Sequence, residues 1–191
     1  MSAPSENAAP RAPRRLDPHR RDRIVDACLR VIGDVGVAGT SHRRVAAVAD
    51  VSLGSMTYHF AGMDDLLRLA FVRFADTVAD SFHTRLAAAA DAEAARQAVV
   101  DLIMHDVLGT HRELVLTHEL YTLAARRPEY RRITEGWMSR SRESLEQHFD
   151  PGTARILDAL VEGLSIHRAL DANPMSAELV ADAIRRVTTR P

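Results

Sequence analysis

The sequence predicts an all-α protein of about nine helices, with three short helices first and longer ones after them. Three observations predict it. From Asp17 onward the apolar residues recur at steps of three and four, the period of an amphipathic helix. No stretch alternates apolar and polar residues with period two, and no Asn-Gly pair marks a hairpin. Gly, Pro or Asp stands where the helical period breaks.

Residues 1–16 read as a disordered basic arm, because Pro4, Pro10 and Pro13 sit among Ala and Ser without apolar periodicity. Its Arg11, Arg14 and Arg15 suit either solvent or a row of phosphates. The first helix is expected from about Asp17 or Pro18 to Asp34, with Asp17 as N-cap. Ile24, Ala27, Cys28, Val31 and Ile32 form its apolar face, which makes Cys28 a core residue. Gly36 and Gly39 then break it. Thr40 or Ser41 caps a second helix to Ala49, with Val45, Ala46, Val48 and Ala49 inward. Ser52 caps a third, from Leu53 to about His59, and Ala61-Gly62 ends it.

A long helix follows from about Met63 to Ala90, where Leu66, Leu67, Ala70, Phe71, Phe74, Val78, Phe82 and Leu86 share one face. Further helices are expected over about 92–108, 111–126, 128–148, 151–171 and 176–188. Their limits are Asp91, Gly109, Pro128, Pro151-Gly152 and Asn173-Pro174.

Composition removes several classes. With 191 residues there is chain enough for a core, and the single Cys rules out an internal disulfide framework. No apolar run approaches the roughly 18–20 residues that cross a bilayer, and the N-terminus has no signal-peptide core. A cytoplasmic protein without a membrane partner is the expectation. The net charge of −1 is an average of unlike parts. Residues 1–60 carry nine Arg against six acids, and residues 61–191 carry sixteen Arg against twenty acids. A basic first part before an acidic remainder is an asymmetry of nucleic-acid binders. All 25 basic residues are Arg, so each basic phosphate contact would use the planar guanidinium.

Residues 40–66 carry the functional signal. They pair two short helices across a tight turn. Ala46 and Ala49 keep the first slim where the second crosses it, and Val51 and Met56 fill the angle. The second helix offers Leu53, Gly54, Ser55, Thr57, Tyr58 and His59, which are mostly small or hydrogen-bonding. This is a helix-turn-helix pattern, whose second helix enters the major groove. The run Val51-Ser52-Leu53-Gly54-Ser55-Met56-Thr57-Tyr58-His59-Phe60, followed by Met63-Asp64-Asp65-Leu66-Leu67, resembles the DNA-binding domain of TetR-family transcriptional regulators. The motif match covers about residues 20–70. The helical pattern and the order of short and long helices resemble the family along the whole chain.

The resemblance implies a DNA-binding domain over 17–62 and a helical ligand-binding and dimerisation domain over 63–191. It implies that Arg43 reads guanine and that Leu53, Gly54, Ser55 and Thr57 lie on the reading face. Thr40, Ser41, Arg44, Tyr58 and His59 are implied to hold phosphates, with Ser52 at the start of the reading helix. Two positions depart from the family pattern. Thr57 replaces the usual aromatic residue, and Met63 replaces a Lys that contacts phosphate. The expected consequence is a changed operator preference.

The partners implied are double-stranded DNA with a near-palindromic sequence, a second copy of the chain and a small effector; no cofactor is expected. The sequence supports the dimer independently. Ile156, Leu160, Gly163, Leu164 and His167 line one side of helix 151–171, while Leu157, Val161 and Leu164 line another. Helix 176–188 adds Leu179, Val180, Ala183, Ile184 and Val187, so a four-helix interface is expected. Candidate effector contacts are Met104, His105, His118, Tyr121, Trp137, Met138 and His167. The six His after residue 60 raise the alternative of an all-helical metal- or His-dependent enzyme. Their spacing lacks a paired ligand motif such as His-x-x-x-His, so no metal site is expected.

Overall fold

The computed structural model describes residues 18–189. The basic arm with Arg11, Arg14 and Arg15, and the Asp17 cap, lie outside the described residues. The described chain is α1 (Arg20–Gly39), α2 (His42–Ala49), α3 (Leu53–His59), α4 (Met63–Ala87), α5 (Ala92–Asp101), α6 (His111–Arg126), α7 (Pro128–Leu145), α8 (Pro151–Leu170) and α9 (Ala177–Thr188). Leu102–Asp106 continues α5 as one π-helical turn. No strand occurs among the described residues, so the expected all-α class and helix number hold.

Caps set most starts. Ser41 accepts from the Arg44 amide, Asp91 from Ala94, and Ser176 from Leu179. Thr110 and Glu113 form a reciprocal capping box at α6. Asp150 accepts from the Gly152 and Thr153 amides, and Pro151 fills the first turn of α8.

The structure corrects several sequence expectations. α1 begins at Arg20, after Pro18, and continues past Asp34 to Gly39 through a kink at Gly36, where φ is 70°. That conformation suits a residue without Cβ. The kink is held from afar, because the Val37 amide donates to Glu119 Oε1 of α6 at 3.1 Å. Val48 is exposed, since α2 buries only Val45, Ala46 and Ala49. Thr40 sends its hydroxyl back to the Gly36 carbonyl (2.8 Å) and leaves the cap to Ser41. Ser52 stands at the N-cap of α3 without a side-chain capping bond; its Oγ meets Ser55 Oγ at 3.1 Å. α4 ends at Ala87, short of Ala90. The expected 92–108 helix gives way to the π turn and then to Leu108 at φ 54°. Arg168 of α8 donates to the Ile103 and Val107 carbonyls at 2.7 and 3.0 Å, which satisfies the loosened end.

Two hydrophobic cores result. The first joins α1–α3 to the start of α4, to Leu116, Leu120 and Ala124 of α6, and to Tyr130 of α7. The second joins the end of α4 to α5, the π turn, α8 and α9. Cys28 is fully buried, and burial pushes its thiol up to about 12, so it is an inert core group. Arg73 of α4 pairs with Asp22 and Asp26 of α1 and locks these two helices outside the core.

Candidate functional site

The protein carries two candidate functional surfaces, and the first is built by α2 and α3. Asp50 turns the chain in the left-handed region, with φ 52° and ψ 54°, and its amide caps the end of α2. Met56 is fully buried between the two helices, with Val51 packed against the same core. Burying such a side chain contributes about 2 kcal/mol and fixes the crossing of α3 on α2. Leu53, Gly54, Thr57 and Tyr58 are left outside, with Tyr58 79% exposed. An apolar Leu53 and an open Tyr58 on one short helix are a surface awaiting contact.

Thr40, Ser41, Arg43 and Arg44 line one open groove with Ala38, Gly39 and Ala47. Arg43 has no ion-pair or hydrogen-bond partner among the described residues. Arg44 is anchored by a guanidinium bond to the Gly39 carbonyl. The Thr57 hydroxyl donates to the Gly54 carbonyl at 3.1 Å, leaving its methyl free. Ser55 and His59 are half-buried. Met63 packs on the first core, so the position that departs from the family pattern serves packing here.

The second surface is a cleft between α4, α6, α7 and α8. Its wall takes Val78 and Phe82 from α4, Val107 and Leu108 after the π turn, and Thr117 and Tyr121 from α6. Trp137, Met138 and Ser141 of α7 and Asp158, Val161 and Glu162 of α8 complete it. Trp137 stacks on Tyr121 with ring centroids 6.1 Å apart and meets Phe74 edge-on at 5.8 Å.

Three of the seven expected effector contacts, Tyr121, Trp137 and Met138, lie on this wall. The other four do not. Met104 packs on the second core. His105 is exposed within the π turn. His118 is exposed, with Nδ1 2.8 Å from the Leu114 carbonyl, and does not line the cleft. His167 is exposed on α8.

Sequence reasoning missed Thr117, Asp158 and Glu162. A signal existed: Asp158 and Glu162 directly follow Leu157 and Val161, so they flank the buried stripe of α8. Burial pushes the Asp158 carboxyl up to about 6, with Arg142 at 3.8 Å opposing the rise. Burial and then the Glu162 carboxylate push the Tyr121 phenol upward. Among the described residues no group of three or more His, Cys, Asp or Glu could hold a metal ion. No described helix is long and apolar enough to cross a membrane.

Comparison with known proteins agrees with this geometry. Residues 24–70 match the family model for bacterial regulatory proteins of the tetR family. Residues 90–190 match the model for the tetracyclin repressor-like C-terminal domain. The crystal structure of SCO7518 from Streptomyces coelicolor A3(2) is 55% identical, with a TM-score of 0.85, covering 91% of this chain and 100% of that one. The multidrug binding protein EbrR is 38% identical in its imidazole complex, with a TM-score of 0.77, covering 96% of this chain and 99% of that one. EbrR is also seen with ethidium, proflavin and malachite green. The transcriptional regulator PksA of Bacillus subtilis is 29% identical, covering 92% of this chain and 89% of its own.

Proposed function

Because this chain belongs to the TetR family of bacterial regulatory proteins, and so is a helix-turn-helix transcriptional regulator, we propose that it is a cytoplasmic repressor that works as a two-fold dimer. In this reading the division of labour falls near residue 62. α3 lies in the major groove of a near-palindromic operator, and α2 holds the flanking backbone. Arg43 reads guanine, while Leu53, Gly54, Ser55 and Thr57 face base edges. Thr40, Ser41, Arg44, Ser52, Tyr58 and His59 meet phosphates and set the register. The observation that carries the reading is the joint exposure of Leu53, Thr57 and Tyr58 beside an exposed Arg43 that has no partner among the described residues.

The cleft between α4, α6, α7 and α8 takes the effector. Its aromatic and aliphatic wall suits compounds of the ring-bearing kind seen with EbrR. Binding there favours a conformer in which the two α3 helices no longer match successive grooves.

A mobility-shift titration on the DNA flanking the protein's own gene tests the reading. Sequence-specific binding that weakens steeply with salt is expected, and Arg43→Ala costs at least tenfold, about 1.4 kcal/mol. Binding equal to that of unrelated DNA, with no response to Arg43→Ala, overturns it.

A further inference from the structure

The effector cleft is mostly apolar, yet two carboxylates enter its wall and no basic side chain does. Asp158 and Glu162 are one helical turn apart on α8, so they project from the same face. The Arg142 guanidinium, 3.8 Å from Asp158, is outside that wall and offsets its charge only in part. A second and independent feature lies opposite. Thr117 of α6 is 2% exposed, it forms part of the wall, and its Oγ1 has no hydrogen-bond partner. A buried hydroxyl without a partner is destabilising, and a bound group that hydrogen-bonds to it removes that cost.

Charge and shape together select a ligand chemistry. An anion would be repelled by Asp158 and Glu162. A neutral apolar guest would strip water from both carboxylates and leave Thr117 unpaired. An aromatic cation offers a ring to Trp137 and Tyr121, a charge to the carboxylates and N–H groups to the oxygen atoms. We infer that the effector is an aromatic cation bearing N–H donors, and that Asp158, Glu162 and Thr117 read its charge and its donors. This rests on the cleft being the effector site, as proposed above.

The inference carries a pH dependence. Asp158 is held at about 6 by burial, with Arg142 and Arg155 opposing and Glu162 reinforcing the rise. Tyr121 faces it from α6, while α4 and the segment after the π turn contribute only Val78, Phe82, Val107 and Leu108. A cation favours the ionised carboxylate, so affinity falls as the pH is lowered through 6.

The only Trp, Trp137, lies in the wall and reports binding by its fluorescence. Three probes that share a linear tricyclic ring system separate the requirements on DNA-free protein. Diamino-N-methylacridinium has a fixed charge and two amino groups, N-methylacridinium has the charge alone, and aminoanthracene is neutral with an amino group. At pH 8 the diamino cation binds at least tenfold more tightly than aminoanthracene and severalfold more tightly than N-methylacridinium. Its affinity falls about tenfold at pH 5. Asp158→Asn and Glu162→Gln each weaken the diamino cation at least fivefold and leave aminoanthracene unchanged, and Asp158→Asn removes most of the pH dependence. Thermal melts followed by circular dichroism establish that both variants are folded. Equal binding of the neutral and charged probes, or cation binding that survives Asp158→Asn and Glu162→Gln combined, overturns the charge assignment and leaves the effector cleft standing. No response of Trp137 to any of the three overturns both.

Discussion

Asp158 bears a charge where little water reaches, and the cost of that charge appears in stability as well as in binding. Its carboxyl titrates near 3.8 in the unfolded chain and about 6 in the fold. Between these values the folded state holds more protons, so raising the pH through this window lowers stability. Above 6 the loss is complete and constant. Asp158→Asn removes the ionisation, so the variant is expected to be more stable than the parent above pH 6, by about 1 kcal/mol after allowance for solvent screening at this partly open site. The two converge near pH 4. Thermal melts of both proteins from pH 4 to 8 check it, and a variant less stable at pH 8 contradicts it. A substitution that raises stability while weakening the cation marks a site that gives up stability for function. This residue was hard to read from sequence because an acid every fourth position on a helix is the ordinary sign of a solvated face. Met56 and Cys28 were easy, because apolar periodicity places them inward without knowledge of any partner.

At the scale of elements, α6 links the two surfaces. Thr117 and Tyr121 face the cleft, while Glu119, between them in sequence, reaches the kinked end of α1. Gly36 permits that kink: its φ is 70°, and a Cβ there would lie 2.5 Å from Glu119 Oε1. Gly36→Ala is therefore strained in backbone and crowded in space, and it is expected to lose about 1–3 kcal/mol of stability, read from denaturant unfolding. Glu119→Ala frees the Val37 amide without adding bulk. It is expected to weaken operator binding severalfold and to shrink the ratio of operator affinities with and without effector. The same ratio in variant and parent would show that Glu119 is only structural. Helix limits set by local chemistry, such as Asp91, Pro128 and Pro151-Gly152, were legible in the sequence. The run of α1 past Gly36 was not, because its hydrogen bond comes from a residue 82 positions away. The π turn at Leu102–Asp106 was equally hidden, since its stray carbonyls are satisfied by Arg168.

The whole molecule is asymmetric in charge and in exposed apolar surface. Nine Arg against six acids in residues 1–60 favour phosphate, and the acidic remainder favours a cationic guest. Among the exposed large hydrophobics, Ile156 (53%), Leu170 (64%) and Leu179 (52%) lie on α8 and α9. A Cβ at Gly163 would meet nothing within 4 Å, so α8 is open along this stripe. Inward, Leu157, Val161, Val180 and Ile184 are already committed to the second core. The outward residues are thus a second apolar side on each helix, and a two-fold axis between copies would bury both at once. This fixes what disruption should do. Ile156→Glu with Leu179→Glu places like charges across such an axis while touching no core residue. The fold is expected to survive, with unchanged helical circular dichroism, while light scattering after gel filtration reports a monomer. Operator affinity is expected to fall at least a hundredfold, because one recognition helix reaches only one half-site. A dimer that persists at micromolar concentration would move the interface away from α8 and α9, and full operator affinity in a proven monomer would remove the two-fold reading of the DNA.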